Sequence, residues 1–258
     1  MKKLIVANWK MNPQSFSAAE KLLRGVLKGL RQIKPKADLV ICPPFPWLTD
    51  FSHKTKEVTF GAQDVFWKKE GAFTGEVSVL MLKNSKVKYV IIGHSERRYI
   101  IGENDDVIAK KIKMAVESGL KVIFCVGEKS RTQVNYQGRL ISGVSAALHQ
   151  QMGAVMRVLK KDTVKELVFA YEPVWAVGTG KPDTPQDALE AVVLIRRMLA
   201  RKFGNKCAYA ARVLYGGSVN PKNIASFISQ QGIDGVLVGG ASLSARSFVE
   251  IVKIVSSV

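Results

Sequence analysis

Eight short runs of apolar and β-branched residues are spread along the 258-residue chain. Most of these runs are continuously apolar and do not alternate with polar positions, which is typical of parallel strands covered on both faces. We therefore predict strands at residues 4–8, 38–42, 58–63, 89–93, 121–126, 167–171, 212–216 and 235–240.

Helical periodicity fills most of the intervals between these runs. Residues 16–33 and 105–118 repeat apolar residues every three or four positions, and Gly119 fits the end of the second helix. The Thr-Pro pair at 184–185 predicts a helix start, and Gly204 predicts its end. The buried face of a last helix is predicted to carry Phe248, Ile251, Val252 and Val255.

Strands and helices alternate with a period of about 32 residues, which is typical of a (β/α)8 barrel. We predict an α/β fold of this type, with a single domain over residues 1–258. No Pro- or Ser-rich linker and no change of composition divides the chain. An open doubly wound sheet would show the same alternation, and the number of strands does not exclude it.

Hydrophobic residues make up 47% of the chain, so we exclude a disordered protein. The three cysteines, Cys42, Cys125 and Cys207, lie far apart and form no C-x-x-C motif. This spacing argues against a disulfide framework and a structural zinc site, and it predicts a reducing, cytoplasmic location. No apolar run reaches the roughly 18 residues of a membrane span, so we expect no association with a membrane.

The formal net charge of +18 is the one unusual bulk property of the chain. Such a charge is compatible with nucleic acid, an anionic surface or an anionic substrate as a partner. However, basic residues occur at most two in a row and are distributed along the chain without a basic tail. This distribution favours a solvated basic surface over a dedicated site for nucleic acid, and we expect no nucleic-acid partner.

Several motifs of other enzyme classes begin in this sequence but are incomplete. Gly178-x-Gly180 begins a dinucleotide fingerprint, but Asp183 stands where its last glycine is required. The Gly-Lys pair of a P-loop is followed by Pro182, and residues 93–97 lack the last glycine of a serine-hydrolase elbow. We therefore expect no nucleotide cofactor, no metal and no activated serine.

Polar residues and glycines recur where the predicted strands end. In a barrel these positions converge on one face, where the loops after the strands form the active site. Glycine pairs follow the seventh and eighth strands, where barrels often bind phosphate through backbone N–H groups. The polar residues at the other strand ends are Asn8, Lys10, Gln63, His94 and Glu172.

A carboxylate, an imidazole and an ammonium group facing a phosphate site suit proton abstraction next to a carbonyl. Each group also has a structural interpretation, with Glu172 as a surface carboxylate, His94 as a structural histidine and the glycines as tight turns. Two other classes of protein therefore stay open. One is a barrel without activity that binds nucleic acid or another anion, and the other is a different phosphosugar enzyme.

Longer segments of the chain resemble the triosephosphate isomerase family, in the family's order and over essentially the whole sequence. The similar segments are NWKMN (8–12), GHSERR (93–98), AYEPVWAVGTG (170–180), YGGS (215–218) and VGGA (238–241). The resemblance implies a cofactor-independent isomerase that interconverts dihydroxyacetone phosphate and D-glyceraldehyde 3-phosphate. It also implies a homodimer and a place in glycolysis and gluconeogenesis.

The resemblance further implies roles for single residues. Glu172 would move the carbon-bound proton, His94 would polarise the carbonyl and shuttle hydroxyl protons, and Lys10 would stabilise the enediolate. The other implied roles are substrate orientation by Asn8, support of Glu172 by Ser95 and of Lys10 by Glu96, and phosphate binding by the N–H groups of Gly178, Ser218, Gly239 and Gly240.

Two loops take implied roles as well. Residues 173–183 would form a lid over the substrate, and Pro182 departs from the more flexible residue that the family usually has there. Residues 66–76 would form a dimer loop, with Thr74 reaching the partner's site and Glu76 pairing with the partner's Arg97.

Overall fold

A computed structural model describes residues 1–134, 140–176 and 183–258. In it, eight parallel strands close into a barrel in the order β1-β8-β7-β6-β5-β4-β3-β2. They are β1 (Leu4–Asn8), β2 (Asp38–Cys42), β3 (Thr59–Ala62), β4 (Tyr89–Ile92), β5 (Lys121–Val126), β6 (Leu167–Tyr171), β7 (Arg212–Tyr215) and β8 (Gly235–Val238). The predicted (β/α)8 barrel is confirmed, and the pairing of β1 with β8 excludes an open sheet.

The strand side chains are divided between two buried compartments. Leu4 and Val6 belong to a cluster of twelve residues inside the barrel. Ile5 and Ala7, which alternate with them, belong to the larger cluster between the strands and the helices. Because both faces of each strand are buried, the apolar runs show no polar alternation.

The predicted helices are present, with one boundary shifted by a residue. Ser15 and Asn104 cap the first and the fourth helix through their side chains, and Gly119 takes a left-handed φ of 80° after the fourth. The helices are α1 (Phe16–Ile33), α2 (Phe45–Lys54), α3 (Val79–Asn84), α4 (Asp105–Glu117), α5 (Gly143–Val158), α6 (Pro185–Phe203), α7 (Asn205–Ala210), α8 (Ile224–Ile228) and α9 (Ala245–Ser257).

The structure differs from the prediction in the connection between β5 and α5. An antiparallel hairpin pairs Thr132–Val134 with Leu140–Ser142 there. Strands of three residues are too short to show a period of two, so no pattern predicted them. The third, fourth, seventh and eighth strands also end one or two residues early, which leaves Gln63, Gly93, Gly216, Gly239 and Gly240 outside the strands.

In the ranges that the structure describes, no helix is both long enough and apolar enough to cross a bilayer.

Candidate active site

A cavity of about 330 Å³ opens at the carboxyl ends of the strands. Its volume is at the lower end of the range for small-molecule sites. Seven of the predicted site residues line it, namely Asn8, Lys10, His94, Glu172, Ser218, Gly239 and Gly240. The loops after five different strands thus meet at one place, as the strand-end positions predicted.

Glu172 follows the last residue of β6 and is fixed from both sides. Its N–H donates to the carbonyl of Val126 at 2.8 Å, and its side chain is only 2% exposed. Oε2 accepts a hydrogen bond of 3.0 Å from the N–H of Ser95. Oε1 makes no hydrogen bond to the described residues. An unsatisfied buried oxygen is unfavourable, so Oε1 is the carboxylate oxygen left open to a hydrogen-bond donor in the cavity.

His94 lies beside this free oxygen, with its Nε2 at 3.2 Å from Oε1 of Glu172. The other ring nitrogen, Nδ1, accepts a hydrogen bond of 3.3 Å from the N–H of Glu96. A ring nitrogen that accepts carries no proton, so this contact places the ring hydrogen on Nε2. The proton of His94 is therefore placed next to the carboxylate.

Lys10 has a left-handed backbone, with a φ of 54°. For a residue other than glycine such a conformation costs about 1–3 kcal/mol. Two hydrogen bonds hold it, from the Lys10 N–H to Oδ1 of Asn8 at 3.0 Å and from Nε2 of Gln63 to the Lys10 carbonyl at 2.8 Å. The ammonium group forms an ion pair with Glu96. Asn8 thus shapes the turn that presents Lys10 to the cavity.

Backbone N–H groups line the opposite part of the cavity. Those of Ser218, Gly239 and Gly240 donate to no group within the described ranges. Gly240 also begins a short helical turn, Gly240–Leu243. Free N–H groups at the start of a helical turn attract anions. Gly178, which was predicted to bind phosphate with them, lies outside the described residues.

Glu128 is a residue that the sequence did not single out. It is fully buried, and its Oε1 accepts hydrogen bonds from the hydroxyl of Tyr171 at 3.0 Å and from Nε1 of Trp175 at 2.8 Å. Burial raises the pKa of the Glu128 carboxyl, against the opposing effect of these hydrogen bonds. Glu128 lies just after β5, as Glu172 lies just after β6, and this position at a strand end could have identified it in the sequence.

The predicted lid is described only at its two ends. Residues 177–182, which include Pro182, lie outside the described residues. Before this gap, the Trp175 ring stacks with the guanidinium of Arg131, 5.4 Å from its centre. After the gap, Arg131 forms ion pairs with Asp183 and, at 3.0 Å, with Asp187. One arginine therefore contacts both ends of the segment.

The predicted dimer loop lies on the surface. Thr74 and Glu76 are exposed. Arg97, the predicted partner of Glu76 across an interface, pairs within its own chain with Asp64 at 2.9 Å and with Glu103 at 2.6 Å. Large apolar side chains are exposed in and near this loop, namely Phe73, Leu80, Met81, Tyr99, Ile100 and Ile101.

Within the part of the chain that the structure describes, no group of three or more His, Cys, Asp or Glu side chains is arranged to hold a metal ion.

A buried carboxylate, an imidazole and a lysine around one small cavity at the carboxyl ends of the strands are typical of the active site of a barrel enzyme. The family model for triosephosphate isomerase matches residues 3–255. A protein named triosephosphate isomerase from Dictyoglomus thermophilum is 43% identical over 98% of this chain and 99% of its own. A protein of that name from Dictyoglomus turgidum is 44% identical over 98% of this chain and 99% of its own. Another, from Coprinopsis cinerea, is 42% identical over 95% of each chain. The chain belongs to the triosephosphate isomerase family, whose members are isomerases.

Proposed function

We propose that the chain interconverts dihydroxyacetone phosphate and D-glyceraldehyde 3-phosphate by proton transfer through an enediolate. The observation that carries this proposal is the pair formed by Oε1 of Glu172 and Nε2 of His94, which lie 3.2 Å apart at the cavity. An unsatisfied acceptor and a fixed donor beside one substrate-sized space suit a reaction in which a C–H proton leaves while charge develops on a carbonyl oxygen.

The first step removes a proton from C1 of dihydroxyacetone phosphate and places it on Oε1 of Glu172. The electron pair of the broken C–H bond forms the C1–C2 double bond, and the negative charge moves to the oxygen on C2. Nε2–H of His94 donates to that oxygen as it becomes charged. A donor placed in this way contributes about 2.7–4 kcal/mol to lowering the barrier.

The second step forms the aldehyde. His94 delivers its Nε2 proton to the oxygen on C2 and takes the hydroxyl proton from the oxygen on C1. Glu172 then returns its proton to C2, and the oxygen on C1 becomes the carbonyl oxygen. Every proton that moves is carried by one of these two side chains, so the reaction balances without an oxidant or a reductant.

Glu96 contacts both His94 and Lys10, the two side chains that we propose to stabilise the negative charge of the enediolate. Its N–H donates a hydrogen bond to Nδ1 of His94, and its carboxylate forms an ion pair with the ammonium group of Lys10. We assign Lys10 to electrostatic stabilisation of the enediolate and the phosphate, and Ser95 to holding Glu172 through its N–H. Asn8 positions Lys10 and thereby the substrate.

The phosphate would bind to the N–H groups of Ser218, Gly239 and Gly240, and that of Gly178, which lies outside the described residues, stays a further predicted donor. The free N–H groups of the first three residues and the cavity that they line support this assignment.

We further propose a cytoplasmic homodimer. Exposed apolar side chains in the segments 73–81 and 99–101 support the dimer, since clustered apolar residues on a surface mark interaction sites. Thr74 and Glu76 are exposed in the same region, and in the proposed dimer they would contact the partner. The absence of disulfides among the three cysteines supports a reducing compartment.

The test is an assay of D-glyceraldehyde 3-phosphate formation from dihydroxyacetone phosphate by the purified protein, in the presence of a chelator. We expect turnover, and a loss of at least about 10²-fold in Glu172→Gln, which cannot accept the proton. A folded wild-type protein without turnover would contradict the proposal and would favour the barrel that only binds anions.

A further inference from the structure

A groove of about 940 Å³ lies at the amino ends of β2 to β5, the end of the barrel opposite the candidate active site. We call it the lysine groove. Its lining contains two carboxylates, Asp38 and Glu57, and the six exposed lysines Lys34, Lys56, Lys83, Lys86, Lys88 and Lys121. The groove is larger than the active-site cavity, and the proposed isomerase reaction uses none of its residues.

The two carboxylates of the groove are already neutralised by arginines. Glu57 accepts hydrogen bonds of 2.7 and 2.6 Å from Arg31, and Asp38 accepts one of 2.7 Å from Arg212. Within the described ranges, none of the six lysines forms an ion pair. Their positive charges are therefore not compensated inside the chain.

The backbone brings four of these lysines together. The N–H of Lys121 donates to the carbonyl of Lys88 at 2.9 Å, because β4 and β5 are neighbours. The N–H of Lys86 donates to the carbonyl of Lys83, also at 2.9 Å. Because the six lysines line one groove, their like charges repel one another, and a multiply charged anion bound there would relieve that repulsion.

The preference for positive charge at the carboxyl end of a helix explains only some of the six lysines. Lys34 and Lys83 lie at the carboxyl ends of α1 and α3, where positive charge is favourable. Lys88 directly precedes β4 and Lys121 begins β5, so no helix end accounts for these two.

The backbone at two of the lysines also argues for a role of their charge. Lys34 and Lys86 have left-handed φ values of 46° and 57°. Glycine or asparagine is favoured in this conformation. At both positions the chain therefore carries a charge facing the groove in place of a residue that suits the backbone better.

We propose that the lysine groove binds a polyphosphate, meaning a short chain of linked phosphates. Lysine is a compact point charge that suits phosphate without a fixed orientation. Tyr89, the aromatic residue of the lining, is only 7% exposed and lies under the ammonium group of Lys121, at 5.6 Å. Nucleic-acid sites that hold single strands offer exposed aromatic rings to the bases, so this lining favours phosphate groups alone.

The test is calorimetric titration of the full chain with sodium tripolyphosphate at low ionic strength. The groove variant combines Lys86→Asn, Lys88→Gln and Lys121→Gln, all at exposed positions. The control variant combines Lys110→Gln, Lys113→Gln and Lys253→Gln, which removes the same charge from exposed positions of α4 and α9. We expect affinity to fall about tenfold or more in the groove variant and to change less than about twofold in the control.

Isomerase kinetics, measured in parallel, should be unchanged in both variants, so failure of this proposal is distinguishable from failure of the proposed function.

Equal binding of ATP would identify the triphosphate of nucleotides as the ligand, and preference for tripolyphosphate would identify inorganic polyphosphate. Both results support the groove. Absence of binding, or equal weakening in the two variants, would overturn it. Tighter binding of a DNA duplex, lost in the groove variant, would replace it with a nucleic-acid surface.

Discussion

The two oxygens of the Glu172 carboxylate have different surroundings, and this asymmetry is the basis of the proposed chemistry. Oε2 is held by the N–H of Ser95, whereas Oε1 has no hydrogen bond from the described residues and faces Nε2 of His94. The first contact fixes the direction of the carboxylate, and the second leaves one oxygen available. The carboxylate can therefore be both immobile and reactive.

Shortening this side chain tests its role as the base. Glu172→Asp withdraws the carboxylate by one methylene, and a misplacement of about 1 Å can lower a rate about 10²-fold. We expect kcat to fall by about 10²-fold or more with KM changed little, as measured by steady-state kinetics. Glu250→Asp, at an exposed position of α9, is the matched control and should keep wild-type rates. A near-normal kcat in Glu172→Asp would show that another group removes the proton.

Glu128 gives a prediction for the dependence of stability on pH. Burial raises the pKa of its carboxyl in the folded state, so its stabilising contribution is complete below the ordinary glutamate range and is lost as pH rises through the raised value. Glu128→Gln cannot ionise, and we expect its free energy of unfolding to decline less over that interval.

Denaturant unfolding at a series of pH values measures this difference. Glu190→Gln, at an exposed position of α6, is the control and should follow the wild-type profile. Parallel profiles for wild type and Glu128→Gln would mean that Glu128 has the same pKa in the folded and unfolded chain.

The sequence located the reactive side chains because each follows a strand, and a closed barrel brings strand ends together. It could not show the tautomer of His94 or the left-handed turn at Lys10. The first depends on the N–H of Glu96, and the second depends on Asn8 and on Gln63, which comes from a different strand end. Such hydrogen bonds between loops leave no period in the sequence.

At the scale of elements, the loop after β7 starts so close to the base that a side chain at its first residue would crowd the Glu172 carboxylate. A Cβ atom at Gly216 would lie 3.0 Å from Cγ of Glu172 and 3.3 Å from the carbonyl oxygen of Tyr171. We expect Gly216→Ala to displace the carboxylate and to lower kcat by about tenfold to 10²-fold, since misplacement of this order has that effect.

Gly153→Ala is the matched control for this prediction. Gly153 lies in α5, and a Cβ atom there would meet nothing within 4 Å. Alanine should raise the free energy of unfolding by about 0.5–1 kcal/mol at an unchanged kcat. Equal kcat values for Gly216→Ala and Gly153→Ala would show that β7 does not position the base.

The elements themselves were predictable to different degrees. The eight barrel strands could be located because burial on both faces makes them continuously apolar. The hairpin that pairs Thr132–Val134 with Leu140–Ser142 has no such burial signal in its short strands, so it could be found only in the structure. The same holds for the role of Arg131, which depends on contacts with Trp175 and Asp183.

At the scale of the whole molecule, the proposed dimer depends on the exposed apolar surface near the predicted dimer loop. Ile100 is 79% exposed and lies in a helical turn, Arg97–Ile101, that follows β4. Ile100→Asp would place a charge in the interface core, where charged residues are depleted. We expect it to shift the sedimentation coefficient to that of a monomer.

Val193→Asp, at an exposed apolar position of α6, is the control and should sediment like the wild type. A wild-type protein that is already monomeric at micromolar concentration would contradict the dimer without affecting the assignment of the catalytic residues.

The proton path through Glu172 is the central claim, and isotope incorporation tests it most directly. Wild-type protein is incubated with dihydroxyacetone phosphate in D2O, and the D-glyceraldehyde 3-phosphate formed is examined by NMR. A carboxylate that holds the proton can exchange it with solvent, so we predict deuterium at C2 of the product and at C1 of the remaining substrate. Product that forms without deuterium at C2, at a rate that Glu172→Gln does not lower, would indicate direct hydride transfer between the carbons and would contradict the account.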